Sequence, residues 1–311
     1  MSGDASLNQT GNYFIIGTNN TGNFNQTGGS VNSTVDRGFF ISDGGGTSSS
    51  LTVSGGNFNL AHNGSYDTDL RNTWIGRGGQ NDSVMVNGGN FSVNNTASGP
   101  SGRRFYLTRD GSFAVNSGTA NISNMQYVIV GRSRGAGTSQ FTIDGGVTSV
   151  GVNTAFVVGG GVDGAFTINN GTIGISRVEG AGGNLWINDA GTTNSASVTL
   201  TTGLLNVEGE VLLGRDSSGT ASFTMTGGEL RAASLAVGSN PSALFEFLDG
   251  DIFLEGSQLT VIDEPWFDGT PGTTANFDSS TGLTHIFVIP EPSSLLLLGL
   301  ATITFGIRRR R

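Results

Sequence analysis

Apolar and polar residues alternate along most of the chain, in a pattern that restarts at glycine-containing corners. Taking the last glycine of each corner as an anchor gives nine positions, 22 to 33 residues apart. The anchors are Gly29, Gly56, Gly89, Gly118, Gly146, Gly171, Gly203, Gly228 and Gly250. The residues five and three positions before the anchors are apolar in all but one case, and the residue between them is mostly polar. This period of two predicts short β-strands with one buried face and one solvated face.

The alignment defines three columns of inward-facing residues. The first column is Phe24, Leu51, Val84, Phe113, Phe141, Phe166, Val198, Phe223 and Phe245. The second is Gln26, Val53, Val86, Val115, Ile143, Ile168, Leu200, Met225 and Phe247. The third, two residues after the anchors, is Val31, Phe58, Phe91, Ala120, Thr148, Ile173, Leu205, Leu230 and Ile252. Three columns that keep the same distance from the anchor in all nine repeats indicate stacked, ordered repeats. The 52 glycines in 311 residues could otherwise indicate disorder.

The sequence predicts an all-β fold. We expect a parallel β-solenoid of about nine three-strand coils, with a right-handed turn favoured by the handedness of parallel crossovers. A two-sheet sandwich or a propeller is the alternative, although both usually join adjacent strands by tight hairpins. Residues 1–256 would form the repeat domain and residues 257–289 an irregular cap or spacer, with Trp266 and Phe267 covering the open end. Residues 290–311 would form a separate tail with a short hydrophobic helix.

The charge of the chain excludes one class of partner. The formal net charge is −9, the pI is about 4.6, and all fifteen basic residues are arginine. An acidic body does not suit nucleic acid, because binding to phosphates needs a basic surface. The absence of cysteine excludes disulfides and thiolate metal sites.

Few residues suggest catalysis. The two histidines, His62 and His285, lie far apart in the sequence and indicate no metal centre, and we expect no cofactor. The candidate carboxylate pairs are Glu208 with Glu210, Asp249 with Asp251, and Asp263 with Glu264. A pair spaced by two in a strand could share one face. Such pairs are what glycosidases require, but an acidic surface also displays them. We therefore expect no enzyme activity.

Arginine recurs after the glycine that ends the first strand of several repeats. The three positions are Arg77, Arg132 and Arg215. An exposed arginine ladder could bind acidic glycans through its guanidinium groups. We favour the simpler interpretation of solvated turn residues that balance nearby aspartates, which are Asp82, Asp110 and Asp216.

The last 22 residues, PEPSSLLLLGLATITFGIRRRR, differ from the rest of the chain. The triplet Pro290, Glu291 and Pro292 precedes an uncharged stretch, and four arginines follow it. The apolar residues of the stretch are Leu295, Leu296, Leu297, Leu298, Leu300, Ile303, Phe305 and Ile307, and the basic residues are Arg308, Arg309, Arg310 and Arg311. A helix over residues 295–307 would be about 20 Å long, which is short for a bilayer core of about 30 Å. The arginines favour a cytoplasmic position.

This order of elements resembles the PEP-CTERM sorting signal of Gram-negative bacteria. The resemblance implies processing by an exosortase-type protease, transient anchoring in the inner membrane through the C-terminal helix, and delivery to the cell envelope or extracellular matrix. It also implies a host that makes exopolysaccharide. The body is similar, through its Gly-Gly corners alone, to the repeats of autotransporter passenger domains. The first residues, MSGDASLNQTGNYF, show no signal-peptide pattern, which we attribute to a mis-assigned or truncated start.

We therefore expect an exported cell-surface or matrix protein that is structural or adhesive and is associated with exopolysaccharide. The alternative is a β-helical carbohydrate-active enzyme, a polysaccharide lyase or hydrolase. A groove that brings together carboxylates, arginine and aromatic rings would favour the enzyme. Polar residues spread evenly over the surface would favour the structural protein.

Overall fold

The computed structural model describes residues 1–44, 48–64, 72–96, 102–132, 136–180, 182–189, 193–216 and 218–289. Nineteen strands account for most of these residues, and the one helical segment among them is a 3₁₀ turn, Leu259–Asp263. The strands are β1 Ser6–Thr18, β2 Asn23–Asp43, β3 Ser50–His62, β4 Thr73–Ile75, β5 Ser83–Asn95, β6 Arg104–Leu107, β7 Ser112–Val130, β8 Ser139–Ile143, β9 Val147–Val158, β10 Gly164–Ile168, β11 Thr172–Arg177, β12 Asn184–Ile187, β13 Ser195–Leu200, β14 Leu204–Leu213, β15 Thr220–Val237, β16 Ala243–Glu255, β17 Phe267–Gly269, β18 Thr273–Asp278 and β19 Leu283–Val288.

Consecutive repeats pair in parallel, and the three predicted columns line the interior. Every column residue is buried except Phe24, which is half-buried and packs against the core. The pairing is in register, so that Phe113 lies beside Phe141 and Phe141 beside Phe166. Their rings follow one another with centroids 4.8 and 5.7 Å apart. The alternating pattern is therefore confirmed as the pattern of the core.

Gln26 is the polar exception in the first two columns, and it is fully buried. Its amide nitrogen donates hydrogen bonds to the carbonyl oxygens of Gly29, at 3.1 Å, and Asn57, at 3.0 Å. Those bonds offset much of the cost of removing the amide from water. A polar residue thus occupies an apolar column because the next repeat supplies acceptors.

The glycine anchors are required by the backbone. All nine adopt positive φ. At Gly89, φ is +70°, and a Cβ atom would lie 2.6 Å from the carbonyl oxygen of Gly56, the anchor of the preceding repeat. Only glycine combines this conformation with such a close approach between stacked corners.

The prediction of a parallel β-solenoid built from three-strand coils is wrong. Hydrogen bonds join eight parallel strands into a closed ring, in the order β7, β8, β10, β13, β15, β14, β11 and β9, with β9 pairing back onto β7. The fold class is therefore a closed eight-stranded parallel β-barrel. The cause lies in β7 and β15, which continue through the glycine corner and pair on both sides of it. Each of these two strands joins the paired strands before the corner to those after it, which the sequence pattern treats as separate.

The segment after the last anchor changes direction. Strand β17 pairs in parallel with the first half of β16, and β19 pairs antiparallel with its second half and with β18. Phe267 is buried, and its ring stacks on that of Phe245 with centroids 5.4 Å apart, while Trp266 is half-buried. Both side chains therefore pack on the last repeat. The division of the chain at residues 256 and 289 stays a prediction, and the predicted C-terminal helix lies outside the described residues.

Candidate functional sites

An apolar column also runs along the outer face of the sheet, where the sequence pattern did not predict one. Its residues occupy the same register in successive repeats and are almost fully buried. They are Phe40, Trp74, Tyr106, Ile129, Val157 and Trp186. The rings of Trp74 and Tyr106 have centroids 4.1 Å apart. The signal in the sequence was the central residue of each short strand, as in FFI, TWI, FYL and LWI, which lies outside the three columns of the alignment.

The three recurring arginines lie against this outer column. Arg215 places its guanidinium 4.0 Å from the ring centroid of Trp186, and Arg77 lies 4.5 Å from that of Phe40. Arg132 lies 5.7 Å from the ring centroid of Tyr106. A cation over an aromatic face is attracted by the ring electrons, while its stem covers apolar surface. These side chains therefore shield the outer column.

The ion pairs of these arginines differ in part from the expected ones. Arg77 pairs with Asp43, and not with Asp82. Arg215 donates to Asp189 at 2.9 Å, and its contact with Asp216 is longer, at 3.7 Å. Strand pairing brings Asp43 and Asp189 from preceding repeats to the arginines, whereas sequence proximity suggested other partners.

His62 belongs to a buried polar cluster. Arg103 donates to Nδ1 of His62 at 3.3 Å, so Nε2 carries the proton and donates to the hydroxyl of Thr73 at 3.0 Å. Arg103 also donates to the carbonyl oxygens of Arg37, at 2.8 Å, and Gly64. Burial, followed by the positive charge of Arg103, lowers the pKa of His62 from 6.5 to about 3, although a hydrogen bond with the Arg37 backbone opposes the shift. The cluster is closed to solvent, which indicates a structural role.

Asp82 is a second buried ionisable group. One carboxylate oxygen accepts the backbone N–H of Ser49 at 2.5 Å. The other has no hydrogen-bond partner among the described residues. Burial raises the pKa of Asp82 to about 6, and the bond from Ser49 opposes the rise. The carboxyl group positions a loop between repeats and has no exposed surface.

His285 occupies a more open site on the outer face near the C-terminal end of the body. Its imidazole lies between the rings of Phe253 and Phe287, with both centroid separations at 4.5 Å. Nε2 lies 2.7 Å from a carboxylate oxygen of Asp251. The antiparallel pairing of β16 with β19 produces this arrangement. No local sequence pattern indicates this contact, because 34 residues separate Asp251 from His285.

A groove of about 190 Å³ adjoins Phe253. Asn206, Val207, Glu208, Arg231, Ala232, Phe253, Glu255 and Leu283 line it. The guanidinium of Arg231 lies 5.4 Å from the ring centroid of Phe253 and pairs with Glu229. A carboxylate oxygen of Glu208 accepts the backbone N–H of Arg177 at 2.6 Å. The groove therefore combines carboxylates, an amide, a guanidinium and an aromatic ring.

The predicted carboxylate pairs are not brought together as pairs. Glu208 lines the groove, but Glu210 lies further along the same strand and does not line it. Asp251 contacts His285, whereas Asp249 caps its own corner by accepting the N–H of Gly250 at 2.8 Å. The third pair, Asp263 and Glu264, is exposed at the end of the 3₁₀ turn.

The described part of the chain contains neither a cluster of metal-binding residues nor a membrane-spanning helix. No group of three or more histidine, cysteine, aspartate or glutamate residues there has the arrangement of a metal site. No helix in those residues is long and apolar enough to cross a membrane.

Comparison with known proteins identifies the tail. Residues 288–311 match the family model of the PEP-CTERM protein-sorting motif. The motif indicates an exported protein that is sorted through its C-terminus. No curated protein and no solved structure matches the chain, so the similarity of the body to autotransporter repeats is not confirmed. The predicted sorting residues Pro290, Glu291 and Pro292, the apolar stretch 295–307 and Arg308–Arg311 lie outside the residues that the structure describes.

Proposed function

We propose that the protein is a component of the cell envelope or extracellular matrix that binds polysaccharide without cleaving it, after sorting by an exosortase-type protease. The observation that carries this proposal is the sorting motif at residues 288–311, joined to a repetitive β-sheet body. Arg308–Arg311 would hold the precursor with its C-terminus in the cytoplasm. The short apolar stretch before them would anchor it transiently, and a cut near Pro290–Pro292 would release the body.

The repetitive outer surface supports a binding role. Strand pairing places Thr142, Thr167, Thr199 and Thr224 side by side on the solvated face. Neighbouring repeats are about 4.8 Å apart, so the surface offers hydroxyl groups at regular intervals. A polymer with a regular repeat can contact many such positions weakly, and the contacts together give useful affinity.

Asparagine ladders extend this polar surface near the N-terminus. The side-chain amide of Asn59 donates to Asn32 at 3.0 Å, and that of Asn32 donates to Asn8 at 3.2 Å. The side chains are therefore held in place by their neighbours in adjacent repeats. An ordered polar surface loses little conformational freedom when a hydroxyl-rich polymer binds to it.

A carbohydrate-active enzyme is the second candidate. The observation in its favour is the contact between Asp251 and His285 beside a groove that contains Glu208 and Glu255. Against it, the three carboxylate pairs of the sequence are dispersed. Binding without cleavage is therefore the better-supported role.

The test uses the purified full-length protein and the exopolysaccharide of its native host. Co-sedimentation measures binding, while reducing ends and polymer length measure cleavage. We expect saturable binding with polymer length unchanged over many hours. Absence of binding, or a steady fall in polymer length, would overturn the proposal, and the second result would establish the enzyme.

A further inference from the structure

We propose that the groove beside Phe253 binds a single uncharged hexopyranose unit of a polysaccharide. This inference deepens the proposed function and rests on it. It names the place on the body where one sugar ring is recognised, in addition to the weak contacts along the repetitive surface.

The groove offers the chemical groups that a sugar ring requires. A pyranose has hydroxyl groups around its rim and C–H groups on its faces. Glu208 and Glu255 supply acceptors, and Asn206 supplies both a donor and an acceptor. The edge of the Phe253 ring supplies apolar surface, because His285 and Arg231 cover its faces. Ligand sites typically combine apolar walls with a few polar groups that converge on the ligand.

The walls of the groove are held in position before a ligand arrives. The Phe253 ring is stacked on His285, which Asp251 fixes in turn. Arg231 is held by its pair with Glu229. Groups that are already ordered bind with a smaller entropy loss.

The size of the groove limits the ligand. Sites for extended small molecules usually have volumes of about 300–1,000 Å³, and this one has about 190 Å³. One ring fits this volume better than a folded oligomer does, and neighbouring units would extend over the surface. The larger groove, of about 350 Å³, is lined mainly by small residues, which include Ala136, Gly137 and Gly161, and it offers no aromatic ring.

The charges around the groove select against acidic sugars. The carboxylates of Glu208 and Glu255 line it, and Glu229 already pairs with Arg231. A uronic acid would bring a further negative charge beside these groups, and like charges in an interface are unfavourable. The charged residues at the groove therefore favour a neutral sugar over an acidic one.

The experiment titrates the full-length protein with defined probes by isothermal calorimetry. The neutral probes are hexamers of β-1,4-linked glucose, α-1,4-linked glucose and β-1,4-linked galactose, and the acidic probe is a hexamer of galacturonate. We expect at least one neutral hexamer to bind at least tenfold more tightly than the acidic one. Equal or tighter binding of galacturonate, or no binding of any neutral hexamer, would overturn the proposal.

Two variants locate the binding. Phe253→Leu removes the ring and retains an apolar side chain, while Glu255→Gln removes one acceptor charge. Each should weaken binding of the neutral hexamer at least fivefold. The matched controls are Ile15→Leu and Glu264→Gln, which change exposed residues that line neither the groove nor the threonine column and should leave binding unchanged.

The outcomes distinguish failure of the groove as a binding site from failure of polysaccharide binding as the function of the protein. Circular dichroism and thermal unfolding establish that each variant is folded. If folded Phe253→Leu and Glu255→Gln proteins bind the hexamer as the parent does, the groove is not the site. If the same proteins still bind the host exopolysaccharide, the proposed function stands and only this inference fails.

Discussion

Two buried ionisable residues, His62 and Asp82, make the stability of the folded protein depend on pH in opposite directions. His62 is neutral in the folded protein because burial and Arg103 lower its pKa to about 3. Asp82 has a raised pKa of about 6, so its protonated form is favoured in the folded protein. Stability follows the difference in bound protons between the unfolded and folded states. Each residue therefore gives a separate prediction.

We predict that His62 makes the protein less stable in acid. The unfolded chain takes up a proton at this residue near pH 6.5, whereas the folded protein resists it down to about pH 3. Stability from His62 is therefore present above pH 6.5 and is lost as the pH falls towards 3. The measurement is the thermal unfolding midpoint between pH 4 and 7 for the parent and His62→Gln.

The difference in midpoint, variant minus parent, should rise steadily as the pH falls. Thr73→Val is the control, because it loses the hydrogen bond to His62 but retains the imidazole. Its profile should run close to parallel with that of the parent. A His62→Gln profile that is also parallel to the parent would contradict the assignment.

Asp82 should have the reverse effect. Its folded pKa of about 6 lies above the value of 3.8 expected in the unfolded chain. The contribution of Asp82 to the free energy of unfolding is complete below pH 3.8 and is lost as the pH rises through 6. Asp82→Asn retains an oxygen that can accept the N–H of Ser49 and never becomes charged. The variant should gain stability relative to the parent as the pH rises from 4 to 8, as measured by chemical unfolding.

Ser42→Ala is the matched control for Asp82→Asn. Ser42 is buried near Gly79, which Asp82 also approaches. Its removal keeps the titrating carboxyl group, so the pH dependence of the parent should persist. A constant difference between Asp82→Asn and the parent across this pH range would exclude the predicted charge effect.

The glycine corners determine how the strands of one repeat meet those of the next. Gly89→Ala would force a Cβ atom to within 2.6 Å of the Gly56 carbonyl oxygen at positive φ. We expect a loss of about 1–3 kcal/mol in the free energy of unfolding, measured by urea denaturation. Gly174→Ala is the control, because Gly174 lies in β11 with ordinary φ and no atom within 4 Å of a Cβ. The Gly174→Ala variant should gain about 0.5–1 kcal/mol in the free energy of unfolding.

Equal effects at the two glycines would contradict this account of the corners. The comparison separates the effect of corner geometry from the general effect of adding a methyl group. A loss at Gly89 alone would confirm that close approach between repeats restricts the corner to glycine.

The inward columns could be predicted from sequence, because burial on one face of a strand imposes an alternation that local sequence displays. The continuation of β7 and β15 through their corners could not, since it depends on pairing with residues 22 or more positions away in the sequence. The outer apolar column was missed for a related reason. Phe40 and Trp74 occupy alternate positions that a two-faced strand exposes, and other parts of the fold bury them.

The same distinction applies to the candidate site. The residues of the tail stand in a fixed linear order, so the sequence alone predicted the sorting motif. The groove depends on β14, β15, β16 and β19 lying side by side. No local sequence pattern predicts that the rings of Phe253 and His285 will stack.

The whole molecule combines a repetitive body with a C-terminal sorting motif. The body carries almost all the acidic residues, and four of the fifteen arginines stand at the end of the tail. Loss of these four charges would take the formal net charge from −9 to −13. A strongly negative body is kept soluble by self-repulsion and repels other anionic polymers unless cations bridge them. This agrees with the preference for neutral sugars.

Intact-mass spectrometry of the surface-exposed protein from its native host tests whether the protein is exported and processed through its C-terminus. We predict a mature C-terminus near Pro290–Pro292, without the apolar stretch and without Arg308–Arg311. A variant with alanine at Pro290, Glu291 and Pro292 should retain the full tail and serves as the control for processing. An intact C-terminus ending in four arginines on the surface-exposed parent protein would contradict the account.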